Sequence, residues 1–577
     1  MTYGELSPAE AAATAAQERL NECLDAGRNF RLEAGAGAGK TYSLVKALRR
    51  LIDERGATFL RRGQRVACIT FTEVAREEIA QDIDKHPAIL VETIHAFSWA
   101  FMAQYQKPLR ELILAMEDRQ EKISEGGGLE GKRVVYDLGF FAVDADKVSL
   151  SHDDVPLLMS RLMAQPKFRA ALTQSFPVIF IDEYQDTDRN VMAAISEHFF
   201  AKNEGPLIGL FGDHWQTIYR GEYSLAEFPN VRSIDKGSNF RSVPAVVDVL
   251  NKLRPELLQA VSDPGAAGEA RFFHANAYAG PRTNTAHSKG DIPDLDRSVV
   301  LRDLRARLEA EGWDFDPKKT KVLMLTHNAL AAEQGYPTIA GIFKRNEAFA
   351  KKEDPTMAFL IDTVETICRA YADKKYGEMF RVLGGAPPLS SHADKQSWRH
   401  DIDVLSELRA NGSIGSVLDH LKQTKRPHLP DRVSRREAEL ERVGPVEVDG
   451  EESAVTRQRL LREVPYSEVI ELARFLDGNT PFATKHSVKG AEFDNVLVLL
   501  GGGWNHYNWP KLLELLHTRV ISTKDEKGYY RARNLLYVAI SRPKKRLAVL
   551  ATQTLSPAAL ESASNLFGAN NLIALDM

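Results

Sequence analysis

The residues with the plainest chemical purpose are Ala34, Gly35, Ala36, Gly37, Ala38, Gly39, Lys40 and Thr41. A run of small residues lets several backbone N–H groups close on one phosphate, because no bulky side chain holds the anion away. Where such a loop opens a helix, the helix N-terminus adds partial positive charge. Lys40 then reaches the β- and γ-phosphates of a nucleotide, and the Thr41 hydroxyl ligates Mg²⁺. The strict pattern has glycine at its first place, where Ala34 stands; the Gly-Lys-Thr end is intact. The other half of such a site is Asp182-Glu183, which closes the apolar run from Val178 to Ile181. A carboxylate at a strand end holds the metal, and its neighbour orients and deprotonates the attacking water. ATP with Mg²⁺ is the cofactor set these motifs require.

The elements that must position these groups alternate. Residues around Phe30 to Ala34 read as a short strand feeding the loop, with a helix from Tyr42 to Arg50 after it. Val66 to Phe71, Val178 to Ile181 and Leu207 to Phe211 are apolar runs of the kind buried parallel strands show. Helical stretches separate them, which predicts an α/β sheet covered on both faces. The signal returns at Val322 to Leu325, Val496 to Leu500 and Leu547 to Leu550, predicting a second sheet. Ser7, Pro8 and Glu10 form a helix start with cap, first-turn proline and returning carboxylate. Residues 99–171 read as helix-rich and broken by Gly126-Gly127-Gly128, 262–298 as loop, and 345–478 as helical around a charged patch from Lys422 to Glu452. The expected division is a first sheet domain at 1–98 and 172–250 with a helical insertion at 99–171. A second sheet domain follows at 251–344 and 479–577, with its insertion at 345–478.

At 577 residues the chain exceeds one hydrophobic core. Hydrophobic residues at 44% and charged residues at 27% are ordinary for a folded soluble protein. A net charge of −4 does not announce a nucleic-acid binder, but phosphate contact needs only a local basic stripe. Arg542-Pro543-Lys544-Lys545-Arg546, Lys318-Lys319 and Arg61-Arg62 are local candidates, and each reads first as a solvated face. Cys23, Cys68 and Cys368 form no paired motif, which speaks against a metal cluster and for a reducing compartment. With no secretory signal and no apolar run long enough to cross a bilayer, the expected location is cytoplasmic, with no membrane partner.

The acidic pair lies within Asp182-Glu183-Tyr184-Gln185-Asp186-Thr187, which resembles the DExQD box of the UvrD/Rep/PcrA helicases of superfamily one, including their RecB- and AddA-like relatives. The resemblance extends in order along nearly the whole chain. It includes the phosphate loop with its leading Ala, Thr70-Phe71-Thr72-Glu73 with Ala75, and Thr93-Ile94-His95-Ala96-Phe97. Gly212-Asp213 with Gln216-Thr217-Ile218-Tyr219, and Asn239-Phe240-Arg241-Ser242, follow. The run from Thr484 to Phe493 and the run from Leu535 to Arg542 complete it.

The resemblance implies two RecA-like parallel-sheet domains with mostly helical inserted subdomains. It implies Asp182 and Thr41 on the metal, Glu183 on the hydrolytic water, and Gln216 sensing the γ-phosphate. Arg241 and Arg542 become arginine fingers supplied by the second sheet domain, and Glu492 holds the ribose. Gln17 is the candidate adenine contact, although an exposed helix glutamine explains it equally. Phe71, Thr72, His95, Phe97, Tyr219 and His486 are the candidate DNA contacts, with Phe71 and Phe97 serving equally as core residues under the sheet.

Departures fall on strand handling. Tyr219 is followed by Arg220-Gly221-Glu222-Tyr223, without the aromatic that relatives place there, and His214-Trp215 replaces an acidic pair. The expected activity is an ATP-dependent helicase or translocase on single-stranded or tailed duplex DNA, running 3′ to 5′ by the resemblance alone. The alternative is a regulatory ATPase that senses DNA ends or single strands. With only Ala551 to Met577 after the last strand, no fused nuclease is expected. A separate nuclease subunit, as in antiphage defence or end processing, is the expected partner.

Overall fold

The first sheet is built around strands that are buried along their whole length, so both of its faces must be covered. In this computed structural model β1 is Phe30–Ala34, β2 Val66–Thr70, β3 Ile89–Thr93, β4 Val178–Asp182, β5 Leu207–Gly212 and β6 Arg232–Lys236. The structure describes residues 6–136, 140–217, 228–285, 288–324, 331, 333–343, 349, 352–385, 390–443, 454–478, 480–483, 491–502 and 507–576. The strand order is β3-β2-β4-β5-β1-β6, and the pairings are parallel. Phe30 stands opposite Gly209 and Asp182 opposite Phe211, so β1, β4 and β5 end side by side.

The two faces carry separate cores. Phe30, Leu32, Phe180 and Phe211 pack with Ala16 and Leu20 of α1 (Pro8–Ala26) and Leu44 and Leu48 of α2 (Lys40–Arg61). Ile179, Ile181, Ile208 and Leu210 face the other way, onto Val155, Leu158 and Met159 of the helix Asp154–Met163. α1 opens on the expected capping box, with Ser7 accepting from Glu10 N and Glu10 accepting from Ser7 N. α2 runs to Arg61, well past the expected end at Arg50.

Two of the sequence expectations change. The segment 99–171 is helical in large part but also holds a three-stranded sheet ordered Arg133–Tyr136, Lys147–Leu150, Ala142–Val143. These strands are short and mixed in polarity, so periodicity hides them. The segment 262–298 holds the strand Glu269–His274 and the start of the helix Asp294–Ala310. Its Gly and Pro residues sit in the joints and mask the strand.

A second sheet is ordered Phe482–Ala483, Thr320–Met324, Phe493–Leu500, Pro543–Ala551, Glu269–His274, Leu572–Ala574. Two six-stranded sheets among the described residues make the fold two RecA-like parallel-sheet domains. Between Pro355 and Leu476 the described elements are helices, including Asp431–Val443 through the charged patch. The chain packs as two compact units, one of Met1–Ala270, Val520–Arg546 and Asn565–Gly568, the other of Arg271–Arg519, Leu547–Ser564 and Ala569–Met577. Among the described residues no helix is long and apolar enough to cross a membrane.

Candidate active site

β1 ends at Ala34 and α2 begins at Lys40, so the small-residue loop lies between strand end and helix start. Gly39 is the helix cap, in the left-handed region (φ 72°), and no side chain caps the terminus. First-turn amides have no acceptor inside their own helix, so an uncapped terminus favours an anion. Gly37 is also left-handed (φ 75°), and a Cβ there would stand 2.7 Å from the Arg241 Cβ.

The carbonyl side of the loop is fastened at four successive residues. The Ala36 oxygen accepts from Asn239 Nδ2 (3.1 Å) and Gln259 Nε2 (3.0 Å), and the Gly37 oxygen from the Phe240 N–H (2.9 Å). The Ala38 oxygen accepts from Ser238 Oγ (3.1 Å) and the Gly39 oxygen from Lys236 Nζ (2.7 Å). The peptide groups of the loop are thereby held in one orientation before any ligand arrives, the preorganisation that an oxyanion site requires.

Lys40 Nζ pairs with Asp182, and with Glu183 Oε1 at 3.3 Å. Burial works against the Lys40 charge, but the two carboxylates outweigh it and hold its pKa above the usual lysine value. Glu183 adopts a left-handed backbone (φ 49°), which costs a residue with a side chain on the order of 1 kcal/mol. Gln185 Nε2 donates to Glu183, and Gln185 Oε1 accepts from the Asp213 N–H at 3.1 Å, which ties the ends of β4 and β5 together. An uncapped helix terminus, a glycine cradle, an ammonium and a buried carboxylate suit a magnesium nucleotide. Thr41, in the first turn of α2, and Asp182 are the residues that would hold the metal.

The remaining predicted groups converge on the same place. Gln216 Nε2 donates to Asp213 Oδ2 (2.8 Å), and Arg542 Nη2 donates to Gln216 Oε1 (3.1 Å). Arg542 is 1% exposed and donates through Nε to the Val538 oxygen at 2.9 Å. Burial first, and Arg241 second, bring its pKa down to about 9. Arg241 Nη1 donates to the Ser541 oxygen at 3.0 Å. Both arginines belong to the same compact unit as Lys40. This differs from the expectation that the second sheet domain supplies them. The helix Thr523–Ile540 packs within the first unit, and the chain passes to the second only after Arg546, inside the strand Pro543–Ala551.

A charged network under the loop was not foreseen. Glu33 accepts from Tyr184 Oη and lies 3.0 Å from His214 Nδ1 and 3.7 Å from Arg254 Nη2. Arg254 Nη1 donates to Asp213 Oδ1 at 2.6 Å. Glu33, Asp213 and His214 stand close enough for a metal, but the Arg254 guanidinium already balances the two carboxylates. Tyr537 Oη accepts from the Ala36 N–H at 3.1 Å, linking the Leu535 to Arg542 motif to the loop. Asn239 and Tyr537 lay inside motifs read for their arginines. Arg254 and Gln259 lie outside every motif and carried no signal.

With this geometry in view, the AAA domain family matches residues 17–222. The Gabija protein GajB of Bacillus cereus (strain HuB5-5) is 23% identical over 686 residues, spanning 91% of this chain and 93% of that protein. The RecBCD enzyme subunit RecB of Chlamydia muridarum is 31% identical over 114 residues, 18% of this chain and 11% of that subunit. RecB of Chlamydia pneumoniae is 27% identical over 118 residues, 19% of this chain and 11% of that subunit. By these matches the chain is similar to the UvrD/RecB-like helicases of superfamily one. It is a helicase-type ATPase, and the family's use of a nucleotide agrees with the phosphate loop.

The other predicted residues of this UvrD/RecB-like chain are less convergent. Gln17 is 5% exposed, not a surface glutamine; its Nε2 donates to Asn21 Oδ1 at 3.3 Å and its Oε1 meets no donor among the described residues. Glu492 is exposed, just before the strand Phe493–Leu500 in the second unit. Phe71 is 42% exposed and precedes Thr72, whose Oγ1 accepts from the Ala75 N–H at 3.2 Å to cap the helix α3 (Glu73–Asp82). His95, in the helix α4 (Ile94–Met102), stacks on His152 with ring centres 3.5 Å apart. Phe97 takes the core alternative. It is 3% exposed, edge-on to Phe176 at 5.2 Å, and its faces are used by the core. Tyr219 and His486 lie outside the described residues.

Proposed function

We propose that this chain is an ATP-driven translocase on single-stranded DNA that separates duplex strands in the 3′-to-5′ direction. The observation that carries the reading is the meeting of Lys40, Asp182, Glu183, Gln216, Arg241 and Arg542 around one glycine cradle. In this reading the loop amides and Lys40 grip the β- and γ-phosphates, and Glu183 takes the proton of the attacking water. Gln216 reports the γ-phosphate to Arg542, to which it is hydrogen-bonded. Magnesium, which Thr41 and Asp182 would hold, would supply positive charge to the phosphates. Arg241 and Arg542 stabilise the charge of the transferring phosphoryl group, a contribution worth about 10³ to 10⁵ in rate in related systems.

Gln17 takes the adenine and Glu492 the ribose. On the DNA side Phe71, Thr72, His95, Tyr219 and His486 are the residues assigned. Phe71 is the exposed ring among those described. The domain reading is two sheet domains with an insertion at 99–171 that mixes helices with a small sheet and a helical insertion at 345–478, working in the cytoplasm.

A second reading is a regulatory ATPase that senses DNA ends and controls a separate nuclease, in antiphage defence or end processing. It is favoured by a relative that is named as one subunit of a larger enzyme. The test is strand displacement on 3′-tailed, 5′-tailed and blunt duplexes, by the purified chain alone and with proteins encoded beside it. Displacement of the 3′-tailed duplex by the chain alone supports the motor. ATP hydrolysis without displacement, until a partner is added, supports the regulatory subunit.

A further inference from the structure

Lys236 is the last residue of β6, two positions after Ile234 and on the same buried side of the strand. It is 1% exposed, which is rare for a lysine without a carboxylate partner. Its ammonium donates to the Gly39 oxygen and to Ser43 Oγ, each at 2.7 Å. Nζ stands 3.6 Å from the point that a Cβ on Gly39 would occupy. Both acceptors are neutral, and both belong to the turn that opens α2. No carboxylate among the described residues pairs with it, and Lys46, of the same sign, acts on it. Burial, aided by Lys46, brings its pKa down to about 8.

A buried cation without an anion is costly to the free protein. If the ammonium served only to brace Gly39, a neutral donor would do so without that cost. Among the described residues, the place nearby that is built for an anion is the phosphate cradle, whose carbonyl side Lys236 holds.

We propose that Lys236 is a positioning residue of the nucleotide site: it fixes the Gly39 peptide from behind and supplies a second positive charge whose counter-anion is the nucleotide's phosphates. This rests on the nucleotide reading of the loop. The claim separates two quantities that a plain structural role would join. Removing the charge should leave the free protein as stable or more stable, while weakening its hold on phosphates.

The test compares Lys236→Met, which keeps the stem and loses donor and charge, with Lys236→Gln, which keeps a donor and loses the charge. Melting temperature is read without ligand and with ATP or inorganic triphosphate, beside steady-state kinetics. Both variants are expected to melt at or above the wild-type temperature without ligand and to bind ATP about tenfold more weakly, a loss in keeping with one unit charge at short range. KM should rise with kcat within about twofold, as expected for binding shared by ground and transition states. Lower ligand-free melting with unchanged ATP affinity would overturn the proposal, as would failure of both variants to fold. Restoration of affinity in Lys236→Gln alone would assign the role to the hydrogen bond and overturn the charge. If the wild type itself neither binds nor hydrolyses ATP, the nucleotide reading is what fails; wild-type binding matched by both variants removes only Lys236.

Discussion

Around the phosphate cradle, residues 33–43, 182–185, 213–216, 236–241, 254–259 and 533–542 meet in one hydrogen-bonded network. Among the described residues, those expected to touch DNA form no such cluster. Phe71 is exposed, His95 lies against His152, and Phe97 is inside the core. The difference follows from what each task demands. A polyphosphate needs formal charges and backbone amides in fixed places, so contiguous residues at strand ends encode it. A base needs only an aromatic face, and the same ring fills a core equally well.

The largest effects should fall on the network. Arg542→Ala is expected to lower kcat by about 10³-fold or more while ATP affinity changes much less; turnover and nucleotide binding measured together check this. Lys40→Ala should abolish turnover. Glu183→Gln should lower it by about 10² to 10⁴-fold and still bind ATP. Retained turnover in Glu183→Gln would remove the general base.

Next come the two phenylalanines, which sharpen the contrast directly. Phe97→Ala should cost about 3–5 kcal/mol of stability in denaturant melts, the usual price of an emptied core site. Phe71→Ala should leave stability nearly unchanged and weaken single-strand binding by about 1–3 kcal/mol. Reversed results would exchange their roles.

The smallest effect concerns pH. Burial, then His152, holds the His95 pKa down to about 4, against an ordinary value of 6.5. The unfolded chain therefore binds more protons between those values, and stability contributed by neutral His95 is present above about 6.5 and lost as pH falls toward about 4. Melting temperature should decline across that window, and His95→Asn should flatten the decline.

The sequence made the charged half of the site legible because Gly39-Lys40-Thr41 and Asp182-Glu183 carry their chemistry in adjacent residues. The donors that fasten the loop were not legible. Lys236 shows itself only as a lysine in phase with Ile234, and Gln259 reaches the loop from a segment without any pattern. Strands fared the same way. Long apolar runs such as Phe493–Leu500 announce themselves, while Arg133–Tyr136 and Glu269–His274 mix polar and apolar residues among glycines and prolines.

The central claim is that one cradle hydrolyses ATP with the two arginines and that DNA governs it. The most direct measurement is steady-state ATP hydrolysis by the purified chain with and without single-stranded DNA, alongside Arg542→Ala. Hydrolysis that rises manyfold with DNA in the wild type, and stays near background in Arg542→Ala under both conditions, is the predicted result. Hydrolysis indifferent to DNA and undiminished in Arg542→Ala would contradict it.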